Sequence, residues 1–86
     1  MSELKICVIG GGSTYTPELI AGFIEKRDEL PVSTIVLMDI DEKRLHVVGG
    51  LTERMLRAAG ADIVLKLSTR QREALAEADY VITQIR

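Results

Sequence analysis

Eighty-six residues, 47% hydrophobic and 28% charged, with a formal net charge of −2, describe one globular domain at most, or part of one. That charge balance gives no electrostatic reason to expect nucleic acid or an anionic membrane as partner. No apolar run approaches the ~20 residues of a membrane span, the start Met1-Ser2-Glu3-Leu4-Lys5 is expected to carry no signal peptide, and a single cysteine cannot close an internal disulfide, so a reducing cytoplasm is the expected compartment.

The chain alternates strand-like and helix-like segments. Lys5–Ile9 predicts the first strand, apolar on both faces, with Cys7 as a buried and inert thiol. Gly10-Gly11-Gly12-Ser13 follows at once. A strand that ends in glycines and turns into a helix sets backbone N–H groups at that helix's positive end, a seat for a pyrophosphate. Gly10 permits the tight turn, and Gly12 lets the backbone approach a ligand with no Cβ in the way. Tyr15 stands where the third glycine of G-x-G-x-x-G would be. Helix one is expected to open at Thr16-Pro17, a hydroxyl at the N-cap and proline at N1, and to bury Leu19, Ile20, Phe23 and Ile24. Gly22, on the flank of that stripe, is expected to supply the close helix–strand approach that Tyr15 denies.

Arg27–Pro31 reads as a loop after the mixed-sign run Glu25–Glu29, a solvated helix end, and Thr34–Ile40 as the second strand. Asp39 stands at the carboxyl end of that strand. In a dinucleotide-binding βαβ unit an acid there accepts from the adenosine ribose hydroxyls, although the gap from Gly12 exceeds the usual ~20 residues. Helix two, Glu42–Ala59, is expected to bury Leu45, Val48, Leu51, Thr52, Met55 and Leu56 and to stop at Gly60. His46, the only histidine, falls among charged residues and is expected to face solvent. Arg44 is weighed between an exposed helix residue and a partner for a cofactor 2′-phosphate; Asp39 beside it would repel that phosphate.

Asp62–Leu67 predicts strand three, with Ile63 and Leu65 on one face and Val64 on the other. Ser68, with Gln71 three residues on, is expected to cap a short helix through Ala76, and Tyr80–Ile85 predicts strand four. Strands alternating with helices in near-continuous apolar runs mean an α/β fold with a parallel sheet covered on both faces. The expected architecture is a Rossmann-type parallel sheet, the N-terminal half of a doubly wound dinucleotide-binding domain. Since the sequence stops at Arg86, where a crossover helix should begin, residues 1–86 are expected to be part of a longer polypeptide.

Three separated motifs, Ile9-Gly-Gly-Gly-Ser-Thr-Tyr-Thr-Pro-Glu-Leu-Ile20, Asp39-Ile-Asp-Glu-Lys-Arg-Leu45 and Ala78-Asp-Tyr-Val-Ile-Thr-Gln-Ile-Arg86, resemble the N-terminus of family-4 glycoside hydrolases. Within that family the run Tyr15-Thr-Pro-Glu-Leu19 is most similar to the 6-phospho-β-glucosidase group. The resemblance implies an NAD-dependent glycosidase, outside the two-carboxylate rule. It implies oxidation at C3 of the sugar, loss of the C2 proton with elimination of the aglycone, water addition and re-reduction. A divalent metal, usually manganese, would act as Lewis acid.

Carried over residue by residue, the resemblance puts Gly10, Gly12, Ser13 and Thr14 in the pyrophosphate loop, by main-chain N–H groups and the Ser13 hydroxyl. It puts Asp39 on the ribose, and Thr83 and Gln84 near the nicotinamide end. The catalytic base and metal ligands fall outside this chain, which is expected to hold no catalytic or metal-binding residue and to be inactive alone. Expected partners are a small phosphorylated disaccharide or glucoside, with no nucleic acid or membrane, and the full-length protein is expected to be a homo-oligomer. The rival functions are a lactate/malate-type dehydrogenase, marked by a downstream His-Asp pair, and a non-enzymatic nucleotide-sensing module.

Overall fold

The computed structural model describes residues 4–76 and 78–84. Its elements, in chain order, are β1 (Leu4–Ile9), α1 (Thr16–Glu25), β2 (Val32–Met38), α2 (Glu42–Ala58), β3 (Val64–Ser68), α3 (Gln71–Leu75) and β4 (Tyr80–Thr83). The four strands are parallel in the order β3-β2-β1-β4, so β1 and β2 are central. The expected α/β parallel sheet is what forms, with β3-β2-β1 in the order of one half of a doubly wound sheet and β4 added on the other side of β1.

Alternation along the strands divides the core. Ile6, Val8, Ile35 and Leu37 point to the face covered by α1 and α2, where they meet Ile20, Phe23, Leu45 and Leu56. Cys7 and Met38 point the other way, onto Ala74 of α3. Cys7 is fully buried, and desolvation pushes its thiol pKa up, which keeps it protonated and unreactive as expected. His46 is exposed, also as expected. Among the described residues no helix is long and apolar enough to cross a membrane.

Several local expectations are corrected. Thr16 is not the cap of α1 but its first residue; Tyr15 holds the N-cap without a side-chain bond. The Thr16 hydroxyl, fully buried, instead donates to the Gly11 carbonyl at 2.9 Å and ties the helix back to the glycine turn. β2 runs from Val32 to Met38 and leaves Asp39 just beyond its end. Leu51 is exposed, because the buried stripe of α2 runs through Leu45, Val48, Gly49, Thr52 and Leu56 and leaves it on the flank. Ser68 ends β3, and its hydroxyl accepts from the Arg70 amide at 3.1 Å; Arg70 is the N-cap of α3. Ile85 and Arg86, expected to extend β4, lie outside the described residues.

Gly22 is exposed, and a Cβ there would meet nothing within 4 Å. The close approaches are made by other glycines. A Cβ on Gly11 would sit 2.7 Å from the Leu37 Cβ, and one on Gly49 would sit 2.7 Å from the Leu67 Cδ1.

Candidate dinucleotide-binding site

Parallel strands in register bring their carboxyl ends to one edge of the sheet, so residues far apart in sequence converge there. Ile9 lies opposite Met38 on one side and Thr83 on the other. The turn after β1 is therefore flanked by the residues that follow β2 and β4. Gly10 adopts φ +80°, which L side chains rarely tolerate, and both its N–H and that of Gly11 donate to the Met38 carbonyl at 2.8 Å. Gln84 donates its N–H to the Ile9 carbonyl at 2.9 Å, and a Cβ on Gly10 would be 2.6 Å from the Gln84 carbonyl oxygen. The turn is closed on both sides by neighbouring backbone.

Asp39 is 2% exposed and works within this turn. Its Oδ2 accepts the Gly12 N–H at 2.9 Å and its Oδ1 accepts the Asp41 N–H at 3.0 Å. Asp41 in turn caps α2, its Oδ1 accepting the Arg44 N–H at 3.2 Å. Arg44 closes the circuit, because its Nε–H donates to the Gly12 carbonyl at 3.3 Å. Gly12, Asp39, Asp41 and Arg44 form a ring of hydrogen bonds that joins the glycine turn to the end of β2 and the first turn of α2. A Cβ on Gly12 would intrude on that ring, 2.8 Å from the Asp39 Oδ2 and 3.1 Å from the Arg44 Cβ. In this structure, the need for glycine at this position thus comes from Asp39 and α2.

The amides expected to face a pyrophosphate are mostly committed inside the protein. Gly10 and Gly12 donate as described, and Ser13 donates its N–H to the Gly10 carbonyl at 3.0 Å. The fully buried Ser13 side chain accepts from the Tyr15 N–H at 3.1 Å, so its oxygen serves the turn. The exposed Thr14 differs: its N–H has no acceptor among the described residues, at the positive end of α1. At the far side, Thr83 is exposed and the buried Gln84 Oε1 has no hydrogen-bond partner among the described residues.

All seven residues singled out from sequence thus gather at one end of the sheet: Gly10, Gly12, Ser13 and Thr14 after β1, Asp39 after β2, Thr83 and Gln84 at β4. Sequence reasoning missed the parts played by Gly11, Thr16, Asp41 and Arg44. A signal existed for Asp41, an acid before a helical run; Gly11 and Arg44 depend on neighbours distant in sequence, and Thr16 on the shape the glycine turn takes five residues before it. Among the described residues no group of three His, Cys, Asp or Glu side chains gathers to hold a metal.

The sequence pattern of the family 4 glycosyl hydrolases matches residues 5–86. A probable 6-phospho-beta-glucosidase of Bacillus subtilis is 52% identical over 85 residues, covering 96% of this chain and 19% of the relative. The 6-phospho-beta-glucosidase of Escherichia coli is 45% identical over 86 residues, covering 98% and 19%. Among solved structures, a 6-phospho-beta glucosidase from Thermotoga maritima with NAD and glucose-6-phosphate superposes with a TM-score of 0.89 at 32% identity, over 99% of this chain and 20% of that one. A 6-phospho-alpha-glucosidase from gut microorganisms with NAD and Mn2+ gives 0.91 at 29% identity, over 99% and 20%. The chain spans about one fifth of the length of these relatives. A sequence pattern matched over nearly the whole chain, on the fold its relatives share, establishes that this chain belongs to the family 4 glycosyl hydrolases.

Proposed function

We propose that this chain is the dinucleotide-binding segment of an NAD- and divalent-metal-dependent 6-phospho-β-glucosidase, with residues 1–86 the N-terminal part of its Rossmann domain. The convergence of the glycine turn, Asp39 and Gln84 at the carboxyl edge of a parallel sheet carries this reading, supported by relatives named 6-phospho-beta-glucosidases at 52% and 45% identity.

The residues present fit NAD. Gly10, with no room for a Cβ, shapes the turn under the ligand; the Thr14 amide offers a donor to a phosphate; the Gln84 Oε1 is a buried acceptor with no hydrogen-bond partner among the described residues. Asp39 holds the turn by accepting the Gly12 and Asp41 N–H groups, and a ribose hydroxyl is the further partner we assign to it. When bound, NAD would supply a reversible hydride acceptor: removal of the C3 hydride is what acidifies the C2 proton, and the hydride's later return restores the sugar. Manganese and the catalytic base fall to residues of the intact protein beyond this chain. We also assign the intact enzyme to the cytoplasm and to a homo-oligomer acting on a phosphorylated glucoside.

The intact protein should hydrolyse 6-phospho-β-glucosides only with catalytic NAD⁺ and a divalent metal, with no net NADH, and product formed in D₂O should carry deuterium at C2. A two-carboxylate glycosidase would show neither the wash-in nor the NAD⁺ requirement. Cofactor-independent cleavage, or NADH accumulating in step with product, would rule the mechanism out.

A further inference from the structure

Gly12 is held at both of its peptide bonds. The peptide before it is fixed by its N–H on the Asp39 carboxylate, and the peptide after it by its carbonyl on the Arg44 guanidinium. Those two bonds set both backbone dihedrals of a residue type that otherwise samples the widest range and loses the most entropy when ordered. Directly beyond Gly12, Ser13 is pinned to the Gly10 carbonyl, and Thr14 presents the one amide of the turn without an acceptor among the described residues. That amide belongs to the Ser13–Thr14 peptide, whose carbonyl accepts the Thr16 N–H at 3.1 Å, so its direction follows from how the turn is held at Gly12 on one side and at Thr16 on the other.

We propose that Arg44 is a positioning residue for dinucleotide binding: its guanidinium, closing the ring through Asp41 and Asp39, locks the Gly12 carbonyl so that the Thr14 amide is set for a phosphate before the ligand arrives. This rests on the NAD-binding reading above. Arg44 acts through the turn, by the Nε–H that donates to the Gly12 carbonyl, a role different in kind from that of a cation reaching for a 2′-phosphate. The gain is preorganisation: an ordered turn does not have to be ordered at the expense of binding.

The test compares Arg44→Met and Arg44→Lys in the intact protein. NAD⁺ titration should show affinity weakened about tenfold by Arg44→Met, the scale of losing one charge-assisted hydrogen bond. Arg44→Lys should be no better, since an ammonium keeps the charge but lacks the Nε–H fork. Without NAD⁺, amide hydrogen exchange over residues 10–16 should be faster in both variants. In turnover, the NAD⁺ concentration for half-maximal rate should rise while kcat at saturating NAD⁺ recovers. Rescue by lysine would show that Arg44 acts as a distant charge and overturn the proposal, as would unchanged exchange and affinity in Arg44→Met. Failure of the unsubstituted protein to bind NAD⁺ would overturn the functional reading itself, and this proposal with it.

Discussion

Gly11→Ala and Gly22→Ala add the same methyl group to the same chain and should move stability in opposite directions. Gly11 has no positive φ, so alanine can adopt its backbone conformation and the cost is steric alone. The new Cβ would lie 2.7 Å from the Leu37 Cβ, 3.0 Å from the Leu37 Cα and 3.2 Å from the Met38 N. None of these atoms can rotate away, since two are backbone and the third is fixed to it, and Leu37 is fully buried in a central strand. The β1–α1 turn or β2 must shift, which places the cost at the upper end of overpacking penalties, about 3 kcal/mol. Gly22 lies inside α1, exposed, with nothing within 4 Å of its added Cβ, so alanine there gains helix propensity of about 0.8–1 kcal/mol. Equilibrium urea denaturation of the intact protein should therefore separate the two variants by about 4 kcal/mol. Equal stability of the two would refute the assignment of Gly11 as the packing glycine, and a Gly22→Ala less stable than Gly11→Ala would restore Gly22 to that role.

Asp39→Ala should weaken NAD⁺ binding by ~1–3 kcal/mol by freeing the Gly12 N–H and removing the proposed ribose acceptor; calorimetric titration checks this, and NADP⁺ bound as tightly as NAD⁺ by the unsubstituted protein would defeat the assignment. Thr52 is fully buried and its hydroxyl has no hydrogen-bond partner among the described residues, so the near-isosteric Thr52→Val should stabilise by about 1 kcal/mol in denaturant melts; a loss of stability would mean the hydroxyl is satisfied. Burial raises the Cys7 pKa. Below the ordinary thiol pKa of about 8.5 both folded and unfolded chains keep that proton, and this group's contribution is fully present. As pH rises past it the unfolded chain ionises first, so stability falls until the folded pKa is reached. The unsubstituted protein should accordingly lose more stability between pH 8 and pH 10 than Cys7→Ala does, and parallel pH profiles would exclude the effect.

Much of the fold was legible along the chain because its signals are local. Continuous apolar runs of strand length alternate with 3.6-residue periodicity, and the helix after Asp41 runs to Ala58 and ends at Gly60 with φ +66°, as a helix-terminating glycine should. Gly10 was legible for the same reason, since a positive φ is a demand on one residue. Local reading failed where a hydroxyl had a choice of partners. Thr16 and Ser68 both have the composition of N-caps, yet Thr16 donates to Gly11 and Ser68 completes β3 while bonding Arg70.

What the sequence by itself determined was the class of fold, the order of its elements, the family and the neighbourhood of the site. Only the tertiary structure decided how that neighbourhood is wired. Gly12 and Asp39 are 27 residues apart and Gly12 and Arg44 are 32 apart, and no periodicity within either segment records that they meet. Their contact depends on β1 and β2 pairing in one register, Ile9 opposite Met38, which sets the two carboxyl ends level and starts α2 beside the glycine turn. The same juxtaposition turned Gly11 rather than Gly22 into the packing glycine and left Thr14 as the outward donor. Steric room and hydrogen-bond partners are properties of neighbours in space, and those exist only once the sheet has formed.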